Sequence, residues 1–329
     1  MVIAPAMSPA QVVAVVGTRR TCADLRCLHV ECNILRSLRP KCSAGVAEYH
    51  MDGSAMSYRP SRSLVTGASS GIGVAFAREL AARGSDLVLV ARREDRLERI
   101  ARELMTAHEI TCETVAFDLS MDGAGAALRK QVGGEFDLVV NNAGFATQGP
   151  FLTGSGEEFA RLIAVDVRAV VDVCHAFLPA MVERGQGAIV NVSSTTAFQP
   201  VPSLAVYSAA KAFVQSFSQS LWYEAKQHGV KVFALAPGPT RTEFFDVIGE
   251  AATVAGRMQT AEQVAATGMR ALDRRSTPPY VVSGIANSWT ARFAGLVPRR
   301  LLIPLVARIL HPIAPARAGA IPFIPREDT

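Results

Sequence analysis

Tyr207 and Lys211 form the side-chain pair in this sequence that is best suited to proton chemistry. They lie four residues apart in "YSAAK", inside a stretch with helical periodicity, so they share one face of a helix, one turn apart. A free tyrosine titrates near pH 10, and a nearby ammonium favours its phenolate form. Tyr-x-x-x-Lys is also common by chance, and a tyrosine that only packs near the core is the alternative interpretation.

A glycine-rich turn in "SLVTGASSGIG" is the second stretch with functional spacing. It follows a predicted strand and precedes a predicted helix. Glycine adopts positive φ and carries no Cβ, so a pyrophosphate can approach the free N–H groups at the start of such a helix. The turn predicts a dinucleotide site lined by Gly67, Gly71 and Gly73. A tight strand-to-helix turn that binds nothing is the alternative.

Short strand-like segments and longer helix-like segments alternate after residue 60. The predicted strands are "SLVTG", "DLVLVAR", "CETVAFD", "FDLVVNNAG", "GAIVNVSS" and "VKVFALAPG"; the predicted helices are "VAFARELAARG", "REDRLERIARELMTAH" and residues near 121–132, 157–184 and 206–227. Strands separated by crossover helices form a parallel sheet with both faces covered. The sequence therefore predicts an α/β fold with a doubly wound parallel sheet, a single Rossmann-fold domain.

Five motifs, in this order, resemble the short-chain dehydrogenase/reductase family. They are T-G-x-x-x-G-I-G at residues 66–73, Asp118 in "FDLS", "NNAG" at residues 141–144, Ser194 placed thirteen residues before Tyr207 of "YSAAK", and "PGPTRT" at residues 237–242. The glycine turn or the tyrosine–lysine pair alone is weak evidence, whereas all five in this order are highly specific. The resemblance covers about residues 60–285.

The resemblance implies a role for each matched residue. In the family, the tyrosine that matches Tyr207 gives a proton to a carbonyl oxygen as hydride arrives from the nicotinamide. Ser194 would hydrogen-bond the same oxygen, and Lys211 would also hold the nicotinamide ribose. Tyr207 and Lys211 therefore count as cofactor-binding residues too, together with Gly67, Ser69, Ser70, Gly71, Ile72, Gly73, Asp118, Leu119, Asn142, Ala143, Gly144, Pro237, Gly238, Thr240 and Thr242. The resemblance also implies a homodimer or homotetramer, joined through the two long helices.

The type of nicotinamide cofactor is predicted from the end of the second strand. An acidic residue there accepts a hydrogen bond from the ribose 2′-hydroxyl of NAD, whereas the 2′-phosphate of NADP calls for arginine. The segment "LVLVARRED" offers Arg92 and Arg93 and no acid before Glu94. NADP(H) is therefore the predicted cofactor. In the alternative interpretation both arginines only begin a solvated helix that is capped by Glu94 or Asp95.

Asp166 is a departure from the family pattern. The family usually has an asparagine at this position of its long central helix, where the side chain and a helix irregularity help to carry a water chain to the lysine. Asp166 keeps the shape and an acceptor but loses the amide donor, and its charge could attract Lys211. We therefore expect Asp166 to join the catalytic group with an altered pH profile, the alternative being a degenerate protein that only binds the cofactor.

Charge and hydropathy exclude several other classes of protein. The net charge of +5 comes mostly from the two ends of the chain, so a nucleic-acid partner is not expected. No apolar run is long enough to span a membrane, and the first residues lack the positive n-region of a secretory signal. The cysteines match no zinc-binding spacing, so no metal site is predicted. The expected location is cytoplasmic.

Residues 1–59 form a poorly specified leader. They show no sustained periodicity, hold four of the six cysteines, and include Met51 and Met56 just upstream of the first strand. The favoured hypothesis is a dispensable, disordered segment or an over-long gene start. An amphipathic targeting segment, helped by its arginines and weakened by its acids, is the alternative.

Residues 286–329 form an apolar and basic extension beyond the predicted catalytic domain at 60–285. The segment "TARFAGLVPRRLLIPLVARILHPIAP" mixes leucines and isoleucines with Arg292, Arg299, Arg300 and Arg308. A lid or packing segment is the favoured interpretation, and peripheral contact with an anionic membrane surface is the other.

The sequence as a whole predicts an NADPH-dependent oxidoreductase that interconverts a carbonyl and an alcohol, with a small lipophilic substrate. A catalytically weak NADP-binding scaffold or redox-responsive partner at a membrane surface remains the alternative.

Overall fold

The computed structural model describes residues 57–243 and 258–310 of the chain. The predictions for the leader up to residue 56, with its four cysteines, and for residues 311–329 lie outside the described residues. In the described part, seven parallel strands form one sheet that carries helices on both faces. The predicted doubly wound α/β fold is therefore confirmed.

Runs of β-branched and leucine residues form the strands. Their bounds are β1 (Arg62–Thr66), β2 (Asp86–Ala91), β3 (Cys112–Ala116), β4 (Leu138–Asn141), β5 (Ala188–Val192), β6 (Lys231–Ala236), β7 (Thr240–Arg241), β8 (Gln259–Thr260) and β9 (Tyr280–Val282). The sheet order is β3-β2-β1-β4-β5-β6-β9, with every neighbouring pair parallel, while β7 and β8 form a separate parallel pair. The strand order reverses direction between β1 and β4, which in such sheets marks the ligand-binding crevice.

Amphipathic helices cover the sheet. They are α1 (Gly71–Ala81), α2 (Glu94–Ala107), α3 (Ala124–Val132), α4 (Gly156–Ile163), α5 (Ala169–Arg184), α6 (Ala205–Lys226), α7 (Ala261–Leu272), α8 (Ile285–Ala294) and α9 (Arg299–Leu310). Helices α1, α2 and α7 pack on one face of the sheet, and α3, α5 and α6 pack on the other. Successive residues of a strand serve opposite faces, as in β2, where Leu87 and Leu89 join the first core and Val88 and Val90 join the second.

The structure differs from the predicted elements at three places, and it adds β7, β8 and helices α7, α8 and α9, for which no bounds were predicted. The helix expected near residue 121 begins at Ala124, because Gly123 adopts a left-handed conformation and Arg168 pairs with Asp122 and donates to the carbonyl of Ser120. The helix expected at residues 157–184 is α4 and α5, joined by a π-helical turn over Ala164–Arg168. The seventh strand, β9, follows the predicted six and was not recognised, because it has only three residues.

Helices α8 and α9 complete the described part of the C-terminal extension. Ala294 of α8 and Leu302 and Val306 of α9 are buried against Val201, in a small core separate from the two that cover the sheet. These side chains therefore pack the described part of the extension onto the domain. Within the described part of the chain, no helix combines the length and apolar composition that crossing a membrane requires.

Candidate active site

A deep cleft lies at the carboxyl ends of the central strands. Its volume is ≈ 1910 Å³, and the segments that follow β1, β2, β4, β5 and β6 all contribute to its walls. Because parallel strands place their carboxyl ends at one edge of the sheet, residues from distant parts of the chain meet there. The glycine turn lies at one end of this cleft, with the tyrosine, lysine and serine predicted to do chemistry further along it.

The glycine turn is held by the loop that follows β4. Thr66 Oγ1 accepts hydrogen bonds from the backbone N–H groups of Asn142 (2.9 Å) and Ala143 (3.0 Å), and Asn142 Nδ2 donates to the carbonyl of Thr66 at 3.0 Å. Gly67 has φ +64°, and a Cβ there would lie 2.8 Å from the Cα of Ala143. The two motifs therefore form one unit that only glycine permits.

The start of α1 suits a bound phosphate. Its N-cap residue, Ser70, has extended backbone angles and makes no side-chain capping bond, so the first-turn N–H groups of the helix keep their capacity to donate. Gly71 has φ +55°, and a Cβ there would lie 2.9 Å from Thr242 Cγ2. The residues present therefore fit a dinucleotide pyrophosphate at this helix terminus.

Gly73 departs from the expectation that it lines the cleft. It is buried within α1 and is absent from the cleft wall. A Cβ at this position would collide with the carbonyl oxygen of Gly67 and would lie 2.7 Å from Asn142 Nδ2. This glycine allows the helix to pack closely against the turn, and it contributes to a cofactor site only by shaping that turn.

The two arginines after β2 lie in different environments on the cleft wall. Arg92 is exposed, whereas Arg93 donates to Ser69 Oγ (3.0 Å) and Ser70 Oγ (3.1 Å) of the glycine turn. Arg93 also pairs with Glu243 at 3.0 Å, and Arg96 reaches the same carboxylate at 2.5 Å. These hydrogen bonds hold the pKa of Glu243 below its usual value. Arg93 is also the N-cap residue of α2. It therefore does begin this helix, as the alternative interpretation states.

Ser194, Tyr207 and Lys211 come together on the cleft wall. Ser194 follows β5 at the start of a 3-10 turn, and both other residues lie in the first two turns of α6. Lys211 Nζ is 5.6 Å from the ring centroid of Tyr207, and it donates to the carbonyl of Val192 at 3.2 Å. Tyr207 is hydrogen-bonded to Ser194. The phenol, the ammonium and the alcohol thus lie together on one wall of the cleft.

Asp166 lies behind these three residues. It sits in the π-helical turn between α4 and α5, where it is fully buried, and it does not line the cleft. Its Oδ2 is 2.9 Å from Lys211 Nζ, and its Oδ1 accepts from the backbone N–H of Phe145 at 3.0 Å. The expected attraction between Asp166 and Lys211 is therefore present, but Asp166 can act on a substrate only through the lysine.

Burial and charge set the titration of this group. Burial raises the pKa of Tyr207. The charge of Lys211 lowers this pKa and the charge of Asp166 raises it, and the net result is a pKa above the usual value for tyrosine. Burial lowers the pKa of Lys211, but Asp166 and Tyr207 more than reverse that effect. The pKa of Asp166 is raised by its burial and partly restored by Lys211. At neutral pH we therefore expect a charged Lys211 beside a protonated phenol.

The remaining predicted cofactor residues also lie along the cleft. Asp118, two residues beyond β3, accepts from the backbone N–H of Ser120 at 2.9 Å, and this bond helps to keep its pKa low. Thr240 Oγ1 donates to the carbonyl of Gly238 at 2.8 Å, which closes the turn after β6. The others on the cleft wall are Ile72, Leu119, Asn142, Ala143, Gly144, Pro237 and Thr242.

Two parts of the site were not predicted from the sequence. Glu243 follows "PGPTRT" directly, but its pairing with Arg93 joins residues 150 positions apart, and no local pattern indicates it. The second part is an apolar wall formed by the loop after β5 and by α8 and α9, including Phe198, Val201, Ala291 and Val306. The apolar composition of residues 286–329 was a signal for that wall, although it did not specify which side chains face the cleft.

Comparison with known proteins agrees with this geometry. The family described as short chain dehydrogenase matches residues 62–253. The very-long-chain 3-oxoacyl-CoA reductase of Mus musculus is 38% identical over 179 residues, which make up 53% of this chain and 57% of that protein. The match thus spans little more than half the length of that relative.

Two solved structures are similar over most of their length. A short-chain dehydrogenase from Sphingobium yanoikuyae in complex with NADPH has 33% identity and a TM-score of 0.65, covering 71% of this chain and 93% of that one. The bulky-bulky ketone specific alcohol dehydrogenase from Comamonas testosteroni has 27% identity and a TM-score of 0.61, covering 70% and 90%.

Proposed function

Because the chain belongs to the short-chain dehydrogenase/reductase family, whose members are oxidoreductases that use a nicotinamide dinucleotide, we propose that it interconverts a carbonyl and an alcohol with NADP(H). The substrate is a lipophilic ketone or aldehyde, or the corresponding secondary or primary alcohol. The observation that carries this proposal is the meeting of Ser194, Tyr207 and Lys211 in the cleft that begins at the glycine turn.

Tyr207 acts as the general acid when a carbonyl is reduced. NADPH supplies, when bound, the hydride that the carbonyl carbon accepts. The Tyr207 hydroxyl donates its proton to the carbonyl oxygen, and Ser194 Oγ donates a hydrogen bond to the same oxygen as negative charge develops on it. The proton of the product hydroxyl therefore comes from Tyr207, and in the reverse reaction the phenolate takes it back.

Lys211 supports this proton transfer from beside the phenol ring. Its buried ammonium favours the phenolate that is left after donation, and it is held in place by Asp166 at 2.9 Å and by the carbonyl of Val192 at 3.2 Å. Asp166 acts through Lys211 and is a positioning residue. Because its charge also disfavours the phenolate, it shifts the pH range in which Tyr207 can donate.

Arg92 and Arg93 would hold the 2′-phosphate that distinguishes NADP from NAD. Both residues lie on the cleft wall directly after β2, Arg93 beside Ser69 and Ser70, and the strand ends without an acidic residue that could accept from a ribose 2′-hydroxyl. The NADPH complex of the similar Sphingobium protein supports the same cofactor.

The apolar wall supports a lipophilic substrate. Phe198, Val201, Leu204, Ala291 and Val306 line the same cleft as the catalytic residues. Buried apolar surface of this kind favours substrates with large hydrocarbon groups by about 25 cal/mol for each Å² removed from water. The similarity to a very-long-chain 3-oxoacyl-CoA reductase and to an alcohol dehydrogenase specific for bulky ketones supports such a substrate class.

The test is consumption of NADPH with a panel of ketones, aldehydes and 3-oxoacyl compounds of increasing chain length. We expect turnover of at least one long-chain carbonyl, with kcat/KM rising with chain length, and no turnover by the Tyr207→Phe variant. Binding of NADPH without turnover across the whole panel would contradict the enzymatic function and favour the NADP-binding scaffold. The aspartate in place of the usual asparagine at Asp166 is the feature that keeps this second function open.

A further inference from the structure

Helices α8 and α9 carry an exposed apolar surface. In α8, Ile285, Trp289 and Phe293 follow each other at intervals of four residues and are 82%, 55% and 55% exposed. In α9, Leu301 and Leu305 are 67% and 53% exposed, whereas Leu302 and Val306 are buried. We call the outward residues Trp289, Phe293, Leu296, Leu301 and Leu305 the apolar ridge.

The apolar ridge is denser than the scattered apolar residues of an ordinary surface. Of the fourteen exposed large apolar side chains among the described residues, seven lie between Ile285 and Leu305. Single exposed leucines need no explanation, whereas a concentration of this kind marks a surface that binds something. Trp289 and Phe293 stack with ring centroids 5.8 Å apart, so the largest of these side chains form one apolar unit.

The charge carried by α8 and α9 has a single sign. The sequence contains no aspartate or glutamate between Asp273 and Leu310, but it places Arg292, Arg299, Arg300 and Arg308 in α8 and α9. All four arginines are exposed, and none of them forms an ion pair with another residue of the described ranges. Such arginines can bind an anionic surface without first breaking an existing pair.

We propose that the apolar ridge and its four arginines dock this protein onto an anionic lipid bilayer. Aromatic and leucine side chains enter the boundary between headgroups and acyl chains, while the arginines contact lipid phosphates. A nucleic acid would match the arginines but not the exposed leucines. A second copy of this chain would have to bring together surfaces that each carry the same four unpaired positive charges.

Docking would also place the substrate cleft at the membrane. The inner sides of the same two helices, through Ala291, Ala294 and Val306, form part of the cleft wall. A lipophilic carbonyl compound dissolved in the bilayer could therefore enter the cleft without crossing water. This consequence for substrate entry rests on the proposed function. Docking onto the membrane does not, because it can be measured with protein that shows no catalytic activity.

Vesicle flotation of the full chain tests the docking. We expect protein to float with vesicles of phosphatidylcholine and phosphatidylglycerol and to bind phosphatidylcholine alone at least about tenfold more weakly, since each arginine near an anionic surface contributes about fivefold. The double variant Arg300→Gln/Arg308→Gln should bind the anionic vesicles more weakly, by about fivefold for each arginine removed. The double variant Arg99→Gln/Arg102→Gln removes two exposed arginines from α2 and should bind like the unaltered protein.

A second pair of variants tests the apolar ridge. Trp289→Ser should abolish flotation without changing the melting temperature or the Kd for NADPH, because Trp289 is 55% exposed and does not line the cleft. Tyr223→Ser removes a 63% exposed aromatic ring from α6 and should float normally. Brominated acyl chains should quench the fluorescence of Trp289, and the Trp289→Phe variant, which still floats, should lose that quenching and retain only the signal of Trp222.

Three results would overturn the proposal. The first is no flotation of the unaltered protein with anionic vesicles. The second is an equal loss of binding in the variants of α2 or α6. The third is a smaller assembly of the Trp289→Ser variant in analytical ultracentrifugation together with unchanged vesicle binding, because the ridge would then be an interface between copies of the chain.

Discussion

Replacing Glu243 by glutamine should strengthen NADPH binding and leave NADH binding unchanged. Glu243 pairs with Arg93 at 3.0 Å and with Arg96 at 2.5 Å, and Arg93 is one of the two arginines proposed to hold the 2′-phosphate. The carboxylate therefore competes with the phosphate for Arg93 and also repels it. Glutamine has nearly the same shape but no charge, so it removes both effects.

The expected gain is limited by solvent. The side chains of Arg93 and Glu243 are 41% and 48% exposed, and ion pairs with that exposure contribute about 0.2–1 kcal/mol. Releasing Arg93 should therefore lower the Kd for NADPH by up to about fivefold. The gain should shrink as ionic strength rises, because salt screens exposed charges.

Isothermal titration with NADPH and NADH, in low and high salt, measures this effect without any turnover. The matched control is Glu103→Gln, which removes a similarly exposed partner from Arg78 in an ion pair that does not line the cleft, and it should leave both Kd values unchanged. An unchanged or weaker affinity of the Glu243→Gln variant for NADPH would refute competition and would mean that Glu243 orients Arg93 for the cofactor. Equal tightening of NADH would show that the 2′-phosphate is not involved.

Three further predictions concern the catalytic group and the glycine turn. Tyr207→Phe should lower kcat about 100-fold to 10,000-fold while NADPH still binds, and Tyr223→Phe on the same helix should have wild-type kcat in the same assay. Asp166→Asn removes a charge that raises the pKa of Tyr207, so the pH midpoint of alcohol oxidation, which needs the phenolate, should move to lower pH; an unmoved pH–rate curve would exclude Asp166 from the proton chemistry. Gly73→Ala should lower stability by about 1–3 kcal/mol in thermal melts because its Cβ would collide with the turn, whereas Gly156→Ala, with nothing within 4 Å, should melt at or above the wild-type temperature.

Local patterns were sufficient for most of the sheet and its helices. The strands around Val65, Leu89 and Val140 are short apolar runs bounded by turn residues, and the helices between them are long enough to cross over. The fold, and with it the edge where the catalytic residues meet, follows from that alternation. The association into a homodimer or homotetramer and the cytoplasmic location stay predictions.

The parts that could not be predicted depend on contacts between distant residues. Gly73 has the same local context as Gly71, and only its packing against the turn assigns it a structural position away from the cleft wall. Glu243 was overlooked because its partners lie about 150 residues earlier in the chain. Residues 157–184 show one continuous helical periodicity, so no local pattern indicates the π-helical turn at Asp166, and only the family resemblance implied a helix irregularity there.

The buried pair of Asp166 and Lys211 also bears on the pH range in which each direction of the reaction runs. A buried ammonium is costly without a counter-charge, and Asp166 supplies that charge at 2.9 Å. An asparagine would leave the lysine charge free to act on the phenol, whereas the aspartate offsets it, so the pKa of Tyr207 remains raised and the hydroxyl keeps its proton across neutral pH. Carbonyl reduction uses the protonated form and alcohol oxidation uses the phenolate. With Asp166 in place of the usual asparagine, we therefore expect carbonyl reduction to persist to higher pH and alcohol oxidation to need a higher pH.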